Sequence, residues 1–234
     1  MTAAAIPAPA SSHSLRPYTI LIGILGVLTI VGGGFGEAYV PGQLIVSGDA
    51  AATARNILGR ESFFRLGFAA YMLEAFCDAG LTMAFWVLVR HVHREAAMAM
   101  VVFRIISTCG FAAAMMLHFG ALQTLKATTA LEAFTPDQVA ALAFSFQRVA
   151  VFGAAFFSAF YGIANIIFGV LLYRSAMLPR VFGVLMTIMG VAFVTHTMLI
   201  VLAPASSSAW LLVTAAVAFI PLVLWLLVKG VRVR

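Results

Sequence analysis

The chain has 234 residues, of which 63% are hydrophobic and only 9% are charged, and its mean hydropathy is +1.07. Soluble domains are about 45–50% apolar and about 25% charged, so this composition excludes a soluble protein and indicates an integral membrane protein. The net charge of +6 does not indicate a nucleic-acid partner, because the basic residues lie mostly at the ends of apolar segments, as membrane topology requires.

Residues 1–15 (MTAAAIPAPASSHSL) are rich in Ala, Pro and Ser and lack the basic start of a cleaved signal peptide, so they are predicted to form a disordered cytoplasmic tail. The remainder, 16–234, is predicted to be a single transmembrane domain. A membrane helix needs roughly 20 mainly apolar residues. Six segments meet this requirement: about 18–40, 63–90, 97–124, 149–173, 178–202 and 209–229. The sequence therefore predicts an all-α fold, a six-helix transmembrane bundle in a lipid bilayer.

The distribution of Lys and Arg predicts the orientation of this bundle. With six spans, one side carries Arg16, Arg90, Arg94, Arg174, Arg180, Lys229, Arg232 and Arg234. The loops on the other side carry only Arg55, Arg60 and Lys126. Basic residues accumulate on the cytoplasmic side of membrane proteins, so both termini are predicted to be cytoplasmic.

The segment 41–63 connects the first two spans on the opposite, extracytoplasmic side. Pro41 and Gly42 are predicted to end the first span. Asp49 is predicted to be the N-cap of a short helix that lies along the membrane interface. Glu61 and Arg65 are four residues apart, a spacing that forms a modestly stabilising ion pair on a helix.

Residues 136–147, which precede the fourth span, are amphipathic and are interpreted as a separate interfacial helix. Thr135 is the predicted N-cap of this helix, and Pro136 occupies its first position.

Two acids in the second span and one arginine in the third lie deep in the membrane. Ionisable residues at such depth are costly and are functional candidates by default. At about 1.5 Å per residue, Asp78 and Arg104 lie at matching depths of roughly 15–18 Å from the cytoplasmic ends of their spans, which predicts an ion pair. Glu74 lies one turn further out, and Thr108 shares the face of Arg104. We call Glu74, Asp78, Arg104 and Thr108 the polar core; it either stabilises the bundle or forms a functional acidic site.

The outer halves of the spans carry His118 and His196, and Glu37 lies near the end of the first span. Together they predict a polar pocket that opens to the outside. Such residues bind a metal or haem, or relay protons. However, no HExxH, paired CxxC or other ligand spacing is present, so no cofactor is predicted. The motifs of soluble enzymes are also missing, so an enzyme is not the favoured interpretation.

Four segments carry a resemblance to a known family: GDAAATARNILGRESFFRLG (48–67), FCDAGL (76–81), LLYRSAMLPRVFGVLM (171–186) and LWLLVKGV (224–231). In their order and spacing they are similar to a family of uncharacterised bacterial membrane proteins, described only as a domain of unknown function. The resemblance covers nearly the whole chain after the tail. It implies a bacterial inner-membrane protein of six or seven helices with no established activity, and it supplies no catalytic residues. The matching positions are Gly48, Asp49, Ala54, Asn56, Ile57, Glu61, Arg65, Asp78, Arg104, Pro179 and Gly183.

Three functions fit this sequence. The favoured one is the binding or movement of a small solute, a lipid or a proton through the polar core, because a scaffold has little need of acids at mid-membrane. The second is a regulatory protein that binds a partner through its cytoplasmic turns, RHVHRE (90–95) and YRSAMLPR (173–180). The third is an intramembrane metal or haem redox protein that uses His118 and His196. The sequence does not indicate an oligomeric state.

Overall fold

A computed structural model of the protein describes residues 12–127, 131–206 and 210–231. In the described part of the chain, six helices are long and apolar enough to cross a membrane. Helices satisfy all their backbone hydrogen bonds internally, which the hydrocarbon interior of a membrane demands. The predicted all-α class and the six spans are confirmed.

The helices follow one another along the chain with short connections. They are α1 (Ser12–Gly33), a π-helical segment (Gly34–Tyr39), α2 (Val40–Leu44), α3 (Ala50–Gly59), α4 (Glu61–Val89), α5 (Arg94–Lys126), α6 (Pro136–Ser175), α7 (Arg180–Leu202), a 3₁₀ turn (Pro204–Ser206) and α8 (Trp210–Val228).

The first span is longer than predicted. It continues without a break to Leu44, so the prediction that Pro41 ends it is wrong. The backbone N–H of Val40 donates to the carbonyl of Phe35, five residues back, and Pro41 follows at the start of α2, where a missing N–H is tolerated. At the other end, α1 includes residues 12–15 of the predicted disordered tail, whereas residues 1–11 lie outside the described residues.

The fourth span is a single continuous helix, so the predicted separate helix over residues 136–147 is also wrong. Helix α6 has 40 residues, a length of about 60 Å at 1.5 Å per residue, which exceeds the hydrocarbon thickness of about 30 Å. Its start agrees with the prediction. Thr135 and Gln138 form a reciprocal capping box, in which each side chain accepts a hydrogen bond from the backbone N–H of the other.

The six spans close into a ring. Each packs against the next along the chain, α8 returns to α1, and α4 also touches α6. The start of α1 and the end of α8 lie together, where the Arg16 side chain donates to the backbone carbonyl of Leu227 at 3.3 Å. We call this the terminal end, and the opposite end, with α3, the far end. Helices α6 and α7 pack closely because glycines oppose each other: a Cβ at Gly183 would lie 2.7 Å from the carbonyl oxygen of Gly169.

The buried apolar residues form two layers, one toward each end of the bundle. The layer toward the terminal end is the larger, and its centre is the stacked pair Phe85–Phe168, with ring centroids 4.3 Å apart. The layer at the far end contains Val40, Leu44, Ile57, Phe64 and Leu122. The polar core lies between the two layers, so its residues sit within the membrane-spanning part of the bundle.

Candidate polar site in the membrane core

The centre of the site is the ion pair that joins α4 to α5. Arg104 Nη2 donates to Asp78 Oδ1, and Arg104 Nε donates to Thr82 Oγ1 at 2.9 Å. The Thr108 hydroxyl lies 2.6 Å from Asp78 Oδ2. The ion pair predicted from depth is therefore confirmed. Both carboxylate oxygens of Asp78 have partners, as a charge in a low-dielectric interior requires.

Sequence reasoning missed Thr82, although it follows Asp78 by four residues and so shares its helix face. Its hydroxyl donates to the backbone carbonyl of Asp78 at 2.8 Å and can thus accept from Arg104. The guanidinium of Arg104 is 1% exposed and lies 5.2 Å from the ring centroid of Phe85 and 5.0 Å from that of Tyr161. These aromatic faces add cation–π attraction to the ion pair.

A second pair of acids lies beside the ion pair. The carboxyl groups of Glu37, in the first span, and Glu74, in α4, are within hydrogen-bonding range of each other, and we call them the carboxyl pair. The Glu74 carboxyl lies against the backbone at Gly33, where an added Cβ would be 2.9 Å from Glu74 Oε1. In the described part of the chain, no donor group reaches Glu74 Oε2, which is buried. The carboxyl pair can form a hydrogen bond only when one member carries a proton.

The π-helical segment of the first span contains Glu37. Glu37 lies in the middle of this segment, and a π turn rotates the side chains that follow it relative to an α-helix. On the same stretch, a Cβ at Gly36 would lie 2.9 Å from the carbonyl oxygen of Gly67, so α1 and α4 are close at this level. Glu37 remains exposed at the bundle surface, whereas Glu74 is half-buried. The carboxyl pair therefore links the bundle surface to the polar core.

Helix α6 extends the polar core on its other side. Asn165 is fully buried, and its Nδ2 donates to the backbone carbonyl of Tyr161 at 2.8 Å. The Tyr161 side chain lies next to the Arg104 guanidinium. Further toward the far end, the hydroxyls of Ser158 and Thr197 are 3.1 Å apart and connect α6 to α7.

His118 does not open to the outside. It is 5% exposed and stacks on Phe64, with ring centroids 4.7 Å apart and an interplanar angle of 15°. Tyr71 lies 5.8 Å from it and is also near the carboxyl pair. The side chain of Gln147 donates to the backbone carbonyl of His118 at 3.1 Å. This histidine is part of the packing between α4, α5 and α6.

The structure does not assemble the predicted outer pocket of Glu37, His118 and His196. His118 is on α5 and His196 on α7, and these two helices do not pack against each other because α6 lies between them in the ring. Glu37 contacts Glu74 instead. Among the described residues, no group of three or more His, Cys, Asp or Glu side chains is placed to hold a metal ion.

Three of the positions that match the family lie near the far end, where they stabilise the connection between the first span and α3. Gly48 has a φ of +78°, which favours glycine, and Asp49 caps α3 by accepting from the backbone N–H of Ala52 at 2.8 Å, as predicted. Asn56 Nδ2 donates to the carbonyl of Leu44 at 3.1 Å and so closes the end of the first span.

Glu61 and Arg65 belong to a three-membered ion network. The predicted pair is confirmed, with Arg65 Nη2 at 2.8 Å from Glu61 Oε1. Lys126, at the end of α5, lies 2.9 Å from the same oxygen and ties α5 to the start of α4. Because these side chains are 29–46% exposed, the network orients helix ends and adds little stability.

Six apolar helices around buried ionisable residues define this protein as a multi-pass membrane protein with a polar interior. The chain belongs to the family described as Domain of unknown function (DUF4386), whose model matches residues 21–230. The matched region includes the polar core, the carboxyl pair and the capped helix at the far end. No curated protein and no solved structure matches the chain.

Proposed function

We propose that the protein binds a proton on the carboxyl pair and moves it between the membrane surface and the polar core. The observation that supports this proposal is the contact between Glu37 and Glu74 inside the span region. Two ionised carboxylates repel each other in a low-dielectric medium, whereas a shared proton turns the contact into a charge-assisted hydrogen bond. Carboxyl groups in membrane spans commonly serve as proton relays.

The positions of the two acids suit a relay. Glu37 lies about 10 Å along the helix from the end of the first span at Leu44, and it is exposed at the bundle surface. Glu74 is half-buried, and Asp78 follows one helical turn later with its charge already balanced by Arg104. A proton taken up at Glu37 therefore has a second acceptor at the entrance to the polar core.

The resemblance to bacterial membrane proteins supports a location in the bacterial inner membrane, and the distribution of basic residues supports an orientation with the terminal end in the cytoplasm. In this orientation Glu37 and Glu74 lie in the outer half of the membrane. The apolar layer around Phe85 and Phe168 then separates the polar core from the cytoplasm. At rest the proton therefore exchanges with the extracytoplasmic side, and its transfer across the whole membrane requires this apolar layer to open during a transport cycle.

A chemical test uses dicyclohexylcarbodiimide, an apolar reagent that adds to protonated carboxyl groups in membranes and leaves a stable N-acylurea. We expect peptide mass spectrometry of the treated protein to locate the adduct on Glu37 or Glu74. Glu95, whose side chain is 84% exposed, is the internal control and should remain unmodified. Equal modification of Glu95, or no adduct on the carboxyl pair of folded protein, would contradict the proposal.

A transport test follows proton flux into liposomes that contain the purified protein, with a potassium diffusion potential as the driving force and an internal pH dye as the readout. Wild-type protein should move protons in the direction set by the potassium potential, and should therefore change the luminal pH faster than empty liposomes do. Glu74→Gln and Glu37→Gln should reduce the flux to the empty-liposome rate, whereas Glu95→Gln should leave it unchanged. A folded wild-type protein with neither flux nor carbodiimide adduct would overturn the proposal.

A further inference from the structure

A groove on the outer surface of the bundle lies between α6 and α7, close to the terminal end. It has a volume of about 380 Å³, and its lining includes Val170 of α6 and Gly183, Val184 and Ile188 of α7. Gly183 has no side chain to fill the groove, and its backbone lies close to Gly169 of the opposite helix. The volume falls within the range of sites that bind small molecules in proteins.

The walls of this groove suit a hydrocarbon chain. Val170, Val184 and Ile188 remain 40–51% exposed although the two helices pack against each other. Thr187 also lines the groove, but its hydroxyl already donates to the backbone carbonyl of Gly183 at 2.9 Å. An apolar chain therefore fits these walls better than a polar solute, which would lose its hydrogen bonds to water.

Two arginines lie at the membrane end of the groove. Arg174, which lines it, is the second-to-last residue of α6, and Arg180 is the first residue of α7. The guanidinium carbon of Arg180 lies 5.3 Å from the ring centroid of Tyr173, another lining residue. Among the described residues, no carboxylate forms an ion pair with either arginine.

The terminal end of the protein has almost no acid that can neutralise these arginines. The structure describes all eight acids of the chain, and Glu95 is the one that lies at this end. Its carboxylate is 3.3 Å from the imidazole of His93. The counter-charge must therefore come from outside the chain, and basic pockets between membrane helices bind anionic lipid headgroups.

We propose that the groove binds one anionic phospholipid, with its phosphate at Arg174 and Arg180 and one acyl chain along the groove over Gly183. A zwitterionic phospholipid has the same chains, but its ammonium group cancels the charge that attracts the headgroup. The site therefore selects lipids by headgroup charge. The proposal does not depend on proton movement by the carboxyl pair, because it rests on other residues.

Photo-crosslinking in liposomes tests this site on the full-length wild-type protein. The probes are phosphatidylglycerol and phosphatidylethanolamine that carry the same photoreactive acyl chain, and peptide mass spectrometry locates the adducts. Phosphatidylglycerol should label Val184 and Ile188 several-fold more than phosphatidylethanolamine does. Val201, which is 51% exposed near the other end of α7, is the internal control and should react equally with both lipids. Equal labelling of Val184 and Ile188 by the two lipids would overturn the proposal.

Arginine variants test the headgroup contact. Arg174→Gln should raise the concentration of unlabelled phosphatidylglycerol that halves the labelling of Val184 by about fivefold, since a basic residue near the membrane surface contributes about this factor. Arg90→Gln is the matched control, because Arg90 is exposed at the same end of the bundle but does not line the groove. An unchanged concentration in Arg174→Gln, or an equal rise in Arg90→Gln, would contradict the proposal.

A groove-filling variant tests the contact with the acyl chain. Val184→Trp should occupy the groove and remove the preferential labelling of Ile188 by phosphatidylglycerol, whereas Val201→Trp should leave it intact. If a second copy of the chain covers the groove instead, neither lipid labels Ile188 in the wild-type protein, and the proposal fails. Proton flux enters none of these measurements, so failure of the lipid site is distinguishable from failure of the proposed proton relay.

Discussion

Replacing Asp78 with asparagine should destabilise the bundle strongly, because the substitution leaves a buried charge without its counter-ion. The Arg104 side chain is 1% exposed and that of Asp78 14%, so water does not screen the remaining guanidinium. Removing one partner of a buried ion pair costs about 3–5 kcal/mol in soluble proteins. Asparagine still offers one acceptor oxygen to Arg104, so we expect a loss near 3 kcal/mol in the free energy of unfolding.

The double variant Asp78→Asn/Arg104→Met distinguishes this explanation from general damage to the core. Arg104→Met removes the uncompensated charge, so the free energy of unfolding of the double variant should be about 1–3 kcal/mol higher than that of Asp78→Asn alone. The free energy can be measured by titration with sodium dodecyl sulfate in mixed micelles, followed by tryptophan fluorescence. Asp49→Asn is the matched control, because asparagine caps a helix as well as aspartate does. Additive losses in the double variant would refute the reasoning.

Three further predictions use the same preparations. Asn56→Ala removes the hydrogen bond that closes the first span and should lower the free energy of unfolding by about 1–2 kcal/mol in the detergent titration; no loss would mean that the bond is dispensable. Gly183→Ala should cost about 1–3 kcal/mol in that titration, because its Cβ would meet the opposing backbone, whereas Gly42→Ala meets open space and should change stability by less than about 1 kcal/mol. Deletion of Gly34 should return the π-helical segment to α register and separate the carboxyl pair, which predicts a folded protein with little carbodiimide adduct; unchanged labelling would argue against the role of the π turn.

Positions along the membrane normal could be predicted from the sequence because each helical residue adds a constant rise. That rise was sufficient to pair Asp78 with Arg104, since α4 and α5 are consecutive and antiparallel. The same argument placed His118 and His196 in one half of the bundle but could not show that α6 separates their helices. Which helices are neighbours in the membrane plane depends on contacts between distant segments, and the depth of a residue in the membrane does not reveal those contacts.

Local rules failed where the hydrogen-bond register of the backbone changes. Proline usually ends a helix, but the π turn before Pro41 allows the first span to continue to Leu44. That continuation places Glu37 inside the span and beside Glu74, a contact that no spacing in the sequence indicates. Amphipathic character alone also misled: it set residues 136–147 apart from the fourth span, yet no glycine or proline interrupts helix α6 between residues 137 and 152.

The charges inside the bundle are the second support for the proposal that the carboxyl pair binds a proton. The polar core together with Glu37 contains three carboxyl groups but one guanidinium, so full ionisation would leave a net charge of −2 (+1 from Arg104 and −3 from the acids). Asp78 is the acid that Arg104 neutralises, and the excess therefore falls on the carboxyl pair. Uncompensated charge is costly at this depth. In this proposal protons neutralise the excess where α1 packs closely against α4, since an added Cβ at Gly33 would lie 2.9 Å from Glu74 Oε1.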